Sequence, residues 1–204
     1  MKKILWIAVA VVVILVIFGY WFMPKEARYS DYAFLIQPRI ADLPDQKVIM
    51  VKAVGDPNKT SQYALGILFR TYYKLGKAVR ENGYKAPKAR WSWEDTTQRE
   101  TWEGQFAIQV PETVNEIPGI DDKSGLKAEL TTWNYGTVAE ILHVGPYGKE
   151  KPTVEKLMNF ISESGYEIAG PHEEEYLKGP MPFLPTNPEK YLTIIRYQVR
   201  KRGS

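Results

Sequence analysis

The chain has 204 residues, with 27 Lys+Arg against 24 Asp+Glu and a net charge of +3. That balance is too mild for a nucleic-acid surface, so no nucleic-acid partner is expected. The absence of cysteine excludes disulfides, thiol catalysis and iron–sulfur ligation, and two histidines, His143 and His172, make a histidine-rich metal centre unsuited to this chain.

Ile4–Met23 is an uncharged apolar run of twenty residues behind Lys2-Lys3. At about 1.5 Å per residue it reaches roughly 30 Å, the thickness of a bilayer core. Tyr20 and Trp21 sit at its end like interfacial anchors, and Pro24 stops the helix. Residues 1–24 are therefore expected to be a single-pass transmembrane anchor, with a cleaved export signal as the competing reading. Lys2 and Lys3 outweigh Lys25 and Arg28, which are diluted by Glu26 and Asp31, so the N-terminus is expected in the cytoplasm and the domain outside it.

Residues 25–46 read as a linker and a leading strand in which Tyr32, Phe34 and Ile36 alternate. Lys47–Val54 is a strand. Leu65, Leu68, Tyr72, Leu75 and Val79 then recur at helical spacing, with Tyr63, Phe69, Tyr72 and Tyr73 available to pack the helix on a sheet. Arg90–Asp95 is extended, which puts Trp91 and Trp93 on one face, either as core or as the wall of an aromatic pocket. Trp102–Val110 is a further strand. Residues 111–134 form a connecting loop with a short strand at Leu126–Trp133; Asp121-Asp122 within it lacks the spaced oxygen ligands of a calcium loop.

Val138–Val144 is an apolar strand ending in the turn Gly145-Pro146. Val154, Leu157, Met158 and Ile161 mark a helix that Gly165 terminates. Tyr166–Ala169 is extended, Gly170-Pro171 interrupts it, and Glu173-Glu174-Glu175-Tyr176-Leu177 follows before a last strand, Tyr191–Val199.

This order repeats the first half. Val48, Val54 and Gly55 precede Val138, Val144 and Gly145 by 90 positions; Glu81, Gly83 and Tyr84 precede Glu163, Gly165 and Tyr166 by 82; Gln109-Val110 precedes Gln198-Val199 by 89. Drifting offsets are what turns of different length produce. An α+β domain of two β-α-β-β units follows, with halves at about 47–111 and 136–200.

His143-Val144-Gly145-Pro146-Tyr147, the helix ending at Gly165-Tyr166, Gly170-Pro171 and the Glu174–Tyr176 stretch together resemble the GyrI-like small-molecule-binding domain, also the effector-binding domain of multidrug-responsive regulators. The resemblance spans roughly residues 47–200. It implies a duplicated β-α-β-β fold, a groove between the halves for lipophilic, cationic or planar small molecules, and a key carboxylate two positions before a tyrosine, here Glu174 and Tyr176. Residues two apart on a strand share a face, so the pair can line one wall, although a one-residue shift among the three glutamates would change the assignment. Glu173 and Glu175 would then point away, into solvent. An exposed acidic edge remains the alternative for the whole stretch.

The candidate ligand-binding set is Glu174, Tyr176, Tyr147, Trp91, Trp93 and His143, with no cofactor and no metal. His143 also fits a satisfied core histidine. The expected function is a membrane-anchored small-molecule-binding protein. A hydrolase of reactive small molecules using Glu174 and a tethered protein-interaction module are the alternatives.

Overall fold

A computed structural model describes residues 27–80, 83, 85–92, 102–180 and 186–203. The expected anchor at 4–23, Trp93 and part of the proline-rich 178–189 loop lie outside them. Among the described residues, no helix is long and apolar enough to cross a membrane.

The strands are β1 (Arg39–Leu43), β2 (Gln46–Val54), β3 (Pro87–Ser92), β4 (Glu103–Gln109), β5 (Ala128–Trp133), β6 (Gly136–Val144), β7 (Tyr166–Lys178) and β8 (Leu192–Lys201). Helix α1 (Pro57–Lys74) follows β2, and α2 (Lys151–Glu163) follows β6. All eight strands form one sheet in the order β1-β6-β8-β7-β3-β4-β2-β5, antiparallel throughout.

The duplication is visible in the register. Val48 faces Gln109 across β2 and β4, and Val138 faces Gln198 across β6 and β8. These are the positions that the sequence offsets equate. The turns after β2 and β6 are alike too, with Gly55 and Gly145 at φ 130° and 134°, where a side chain would be strained. The two units meet along β3 and β7. The outer strands are exchanged: β1 leads the first unit but pairs with β6, and β5 leads the second but pairs with β2.

Both helices pack on the same face of the sheet. Under α1, Ile67 and Leu68 bury against Ile49, Val51, Phe106 and Ile108; under α2, Leu157 and Ile161 bury against Ala139, Ile141 and Ile195. Each such side chain contributes about 1.5–3 kcal/mol when fully buried. Between the helices lies the seam of β3 and β7.

The opposite face carries a buried ionic lattice. The Arg196 guanidinium donates to Glu140 at 2.8 and 3.0 Å and to Glu173 at 2.7 Å; Arg39 donates to Glu140 and Arg90 to Glu173. The Tyr135 hydroxyl donates to Glu173 at 2.9 Å, and Lys88 lies 3.6 Å from Glu175. The Arg90 guanidinium stacks over the Trp133 ring at 4.0 Å.

Three expectations need correction. Residues 29–35 are helical turns rather than a strand, because Leu35 is the buried residue and Phe34 is 60% exposed beneath Arg39; the leading strand begins at Arg39. Gly170-Pro171 does not end a strand. It sits in a bulge of the continuous β7, where Gly170 passes so close to Gln198 that a Cβ would meet that side chain. Glu173 does face away from Glu174, but into the ionic lattice and not into solvent.

Candidate functional site

His172, Glu174 and Tyr176 alternate along β7, so the pleat turns all three toward the helix side. Across the seam, Trp91 faces His172 and Ala89 faces Glu174; on the other side Tyr197, Ile195 and Thr193 face the three in turn. Glu174 is only 7% exposed.

The Glu174 carboxylate lies 3.1 Å from His172 Nε2, and the Tyr176 hydroxyl hydrogen-bonds it as well. His172 Nδ1 lies 2.8 Å from the Tyr197 hydroxyl. The result is a hydrogen-bonded chain through Tyr197, His172 and Glu174. Burial, then the nearby Glu174 charge, pushes the Tyr176 phenol well above its usual range; burial, with Glu150 and Glu174, lifts Tyr197 to about 12. Both phenols stay neutral donors at any physiological pH.

A second carboxylate reaches this group from the turn before α2. A Glu150 oxygen, a His172 nitrogen and a Glu174 oxygen all lie within 4.8 Å of one another. Glu150 Oε2 is buried and has no hydrogen-bond partner among the described residues. Burial, and then repulsion from Glu174, raises the Glu150 pKa to about 8. Three donors this close invite the question of a metal ion. Both His172 nitrogens are already engaged, however, and an ion would have to break the His172–Glu174 contact.

Tyr147, in the turn after β6, packs over the site. Its ring lies 5.5 Å from Tyr176 and 5.4 Å from Tyr191. Gly179 leaves room for its hydroxyl, since a Cβ there would collide with it. Trp91 belongs to the core beneath α1, edge-on to Phe106 at 5.3 Å, with its outer edge at the seam beside His172. His143 lies on the same sheet face, but its Nδ1 pairs with Thr153 Oγ1 at 2.9 Å and its Nε2 lies 3.2 Å from the Pro146 carbonyl. It ties the turn to α2.

The structure thus brings Glu174, Tyr176 and Tyr147 together, sets Trp91 at their edge and occupies His143 locally. Sequence reasoning missed His172, Tyr197, Tyr191 and Glu150. Strand alternation could have found His172, two positions before Glu174. No local pattern marks Glu150, because only the turn geometry carries it to the site. Among the described residues, neither Glu150 nor Glu174 pairs with a lysine or arginine. Lys88, Arg90 and Arg196 all point to the opposite face.

Similar structures carry the same fold. An uncharacterised conserved protein from Listeria innocua matches with a TM-score of 0.66 at 24% identity, covering 89% of this chain and 96% of that one. A hydrolase from Listeria innocua matches at 0.61 and 23%, with the same coverages. The chain of an EcmrR–DNA complex matches at 0.54 and 15%, over 98% of this chain and 68% of that one. The fold therefore also occurs in a protein of a DNA complex. No curated protein matches the chain. Residues 36–200 match the GyrI-like small molecule binding domain. With the duplicated β-α-β-β sheet and its single seam, this chain belongs to the GyrI-like small-molecule-binding family.

Proposed function

We propose that the chain is a receptor for a lipophilic cationic or planar small molecule, held at the seam of β3 and β7, with Glu174 as the charged anchor. One observation carries the reading: a buried carboxylate framed by aromatic rings, with no lysine or arginine on it among the described residues. A cation there would gain the carboxylate charge and the faces of Tyr147 and Tyr176 together. Tyr147 covers the site, so entry requires its ring to swing aside. We further propose that residues 4–23 tether this domain to a membrane, with the domain on the extracytoplasmic side.

Thermal shift of the full chain with planar aromatic cations and their uncharged isosteres tests the site. A ligand that binds only the folded state raises the midpoint. Stabilisation by the cations that disappears in Glu174→Gln is the expected result. Equal stabilisation of both proteins would move the site elsewhere.

A hydrolytic role is the second reading. It is favoured by Glu150, whose pKa is raised to about 8, a few ångströms from the hydrogen-bonded Glu174–His172 pair. The fold likeness to a hydrolase from Listeria innocua is consistent with it. Turnover of a reactive electrophile that is abolished in Glu174→Gln would establish it; binding without turnover would reject it.

A further inference from the structure

The site holds two carboxylates of different standing. Glu174 is served by His172 Nε2 and by the Tyr176 hydroxyl. Glu150 reaches the same place, yet its buried Oε2 is served by nothing among the described residues. On the same sheet face, beside Tyr176, the hydroxyl of Thr193 is also buried without a partner, and that residue is fully enclosed. Buried oxygens left in this state destabilise the site, more so when charged. An aromatic wall does not relieve that cost. A hydrogen-bond donor does.

We infer that Glu150 is a second anchor of the ligand site, and that the site selects cations carrying their own N–H donors, such as protonated amines and amidinium groups, over fully alkylated cations. This deepens the reading above and rests on it. A cation between the two carboxylates meets donor-hungry oxygens on one side and aromatic faces on the other. An ammonium group can give one N–H to Glu150 Oε2 and another to a remaining lone pair of Glu174. A trimethylated nitrogen brings the same charge and more apolar surface but no donor, so it leaves Oε2 as unserved as before. Charge and aromatic attraction alone would not separate the two; the unserved oxygen does.

The test uses the full chain and two probes with one scaffold, 1-naphthylmethylammonium and 1-naphthylmethyl(trimethyl)ammonium, titrated calorimetrically. The ammonium probe is expected to bind about tenfold or more tightly than the trimethyl probe, the ratio that one charge-assisted hydrogen bond supports. Glu150→Gln should narrow that preference by weakening the ammonium probe more than the trimethyl probe. Glu174→Gln should weaken both. Equal or tighter binding of the trimethyl probe by the wild type would overturn the inference while leaving the cation site standing, and this comparison needs no variant to fold. Unchanged selectivity in a folded Glu150→Gln protein would overturn it as well. Binding of neither probe would remove the cation site itself, and the inference with it.

Discussion

Ala89 and Glu174 face each other directly across the seam between the two halves. They are also equivalent positions of the duplication. Ala89 pairs with Phe106 on β4, Glu174 pairs with Ile195 on β8, and Phe106 and Ile195 are 89 positions apart, the offset of that strand pair. The pseudo-twofold axis therefore passes between them. One half supplies a carboxylate and the other a methyl group of the core, so a symmetric scaffold presents one charge at its axis.

That asymmetry is testable. Ala89→Leu is expected to cost about 1–3 kcal/mol by overpacking. It should also block cationic ligands under conditions where the variant remains folded. Urea melts and a ligand titration on the same sample would check both, and full ligand affinity in Ala89→Leu would contradict the assignment.

Tyr147 and Gly179 make a second pair. Gly179→Ala should push the Tyr147 ring out of its place between Tyr176 and Tyr191, because the new methyl group meets the phenol oxygen. Ligand affinity should fall. Adding Tyr147→Phe removes the colliding oxygen and should restore it. A double variant no better than Gly179→Ala alone would indicate that Tyr147 does not line the site.

The two faces of β7 set opposite pH dependences. Glu150 has its folded pKa raised to about 8, so the folded state holds its proton more tightly than the unfolded chain. Its stabilising contribution is complete below the ordinary carboxylate pKa and is lost as pH rises through 8. Glu173 behaves in reverse. Its burial opposes ionisation, but Arg196, Lys88 and Arg90 outweigh that and hold its pKa below the ordinary value. Its contribution is present above that value and is lost as pH falls through the lowered one. Melting temperatures across pH should therefore decline at both ends. Glu150→Gln should flatten the alkaline side only; a variant that leaves that side unchanged would contradict the burial argument.

Arg196 holds three glutamates on the face away from the ligand site. Arg196→Met should destabilise by about 3–5 kcal/mol, because it leaves buried carboxylates without a counter-charge. Chemical denaturation measures this directly. At temperatures where the variant is folded, its ligand affinity should be close to that of the wild type, since alternate strand residues serve opposite faces.

Much of this architecture could be read from the chain. The two β-α-β-β units are legible because apolar periodicity and the glycines at 55, 83, 145 and 165 punctuate both halves alike. The shared face of Glu174 and Tyr176 follows from a two-residue spacing. What escaped were the interactions between segments far apart in sequence. Glu140 and Arg196 look like ordinary surface charges until the sheet places them 2.8 Å apart in its interior. Glu150 lies outside any strand pattern, and only the fold of the turn before α2 explains its reach. Residues 32–36 misled for a local reason. Their alternation of large apolar side chains imitates a strand, although several of them are exposed.

The exchange of β1 and β5 bears on how the protein could have arisen and how it can be taken apart. Each unit completes the border of the other, as in a pair of chains that have traded a terminal arm and were later joined. A fragment carrying one unit would lack its outer neighbour and would expose its seam strand, so it would present unpaired backbone on both sides. Such a fragment is expected to associate with itself or to stay unfolded, whereas the two fragments produced together should reassemble. The joining residues 111–127 would then act as a tether between two interlocked partners and carry none of the sheet themselves.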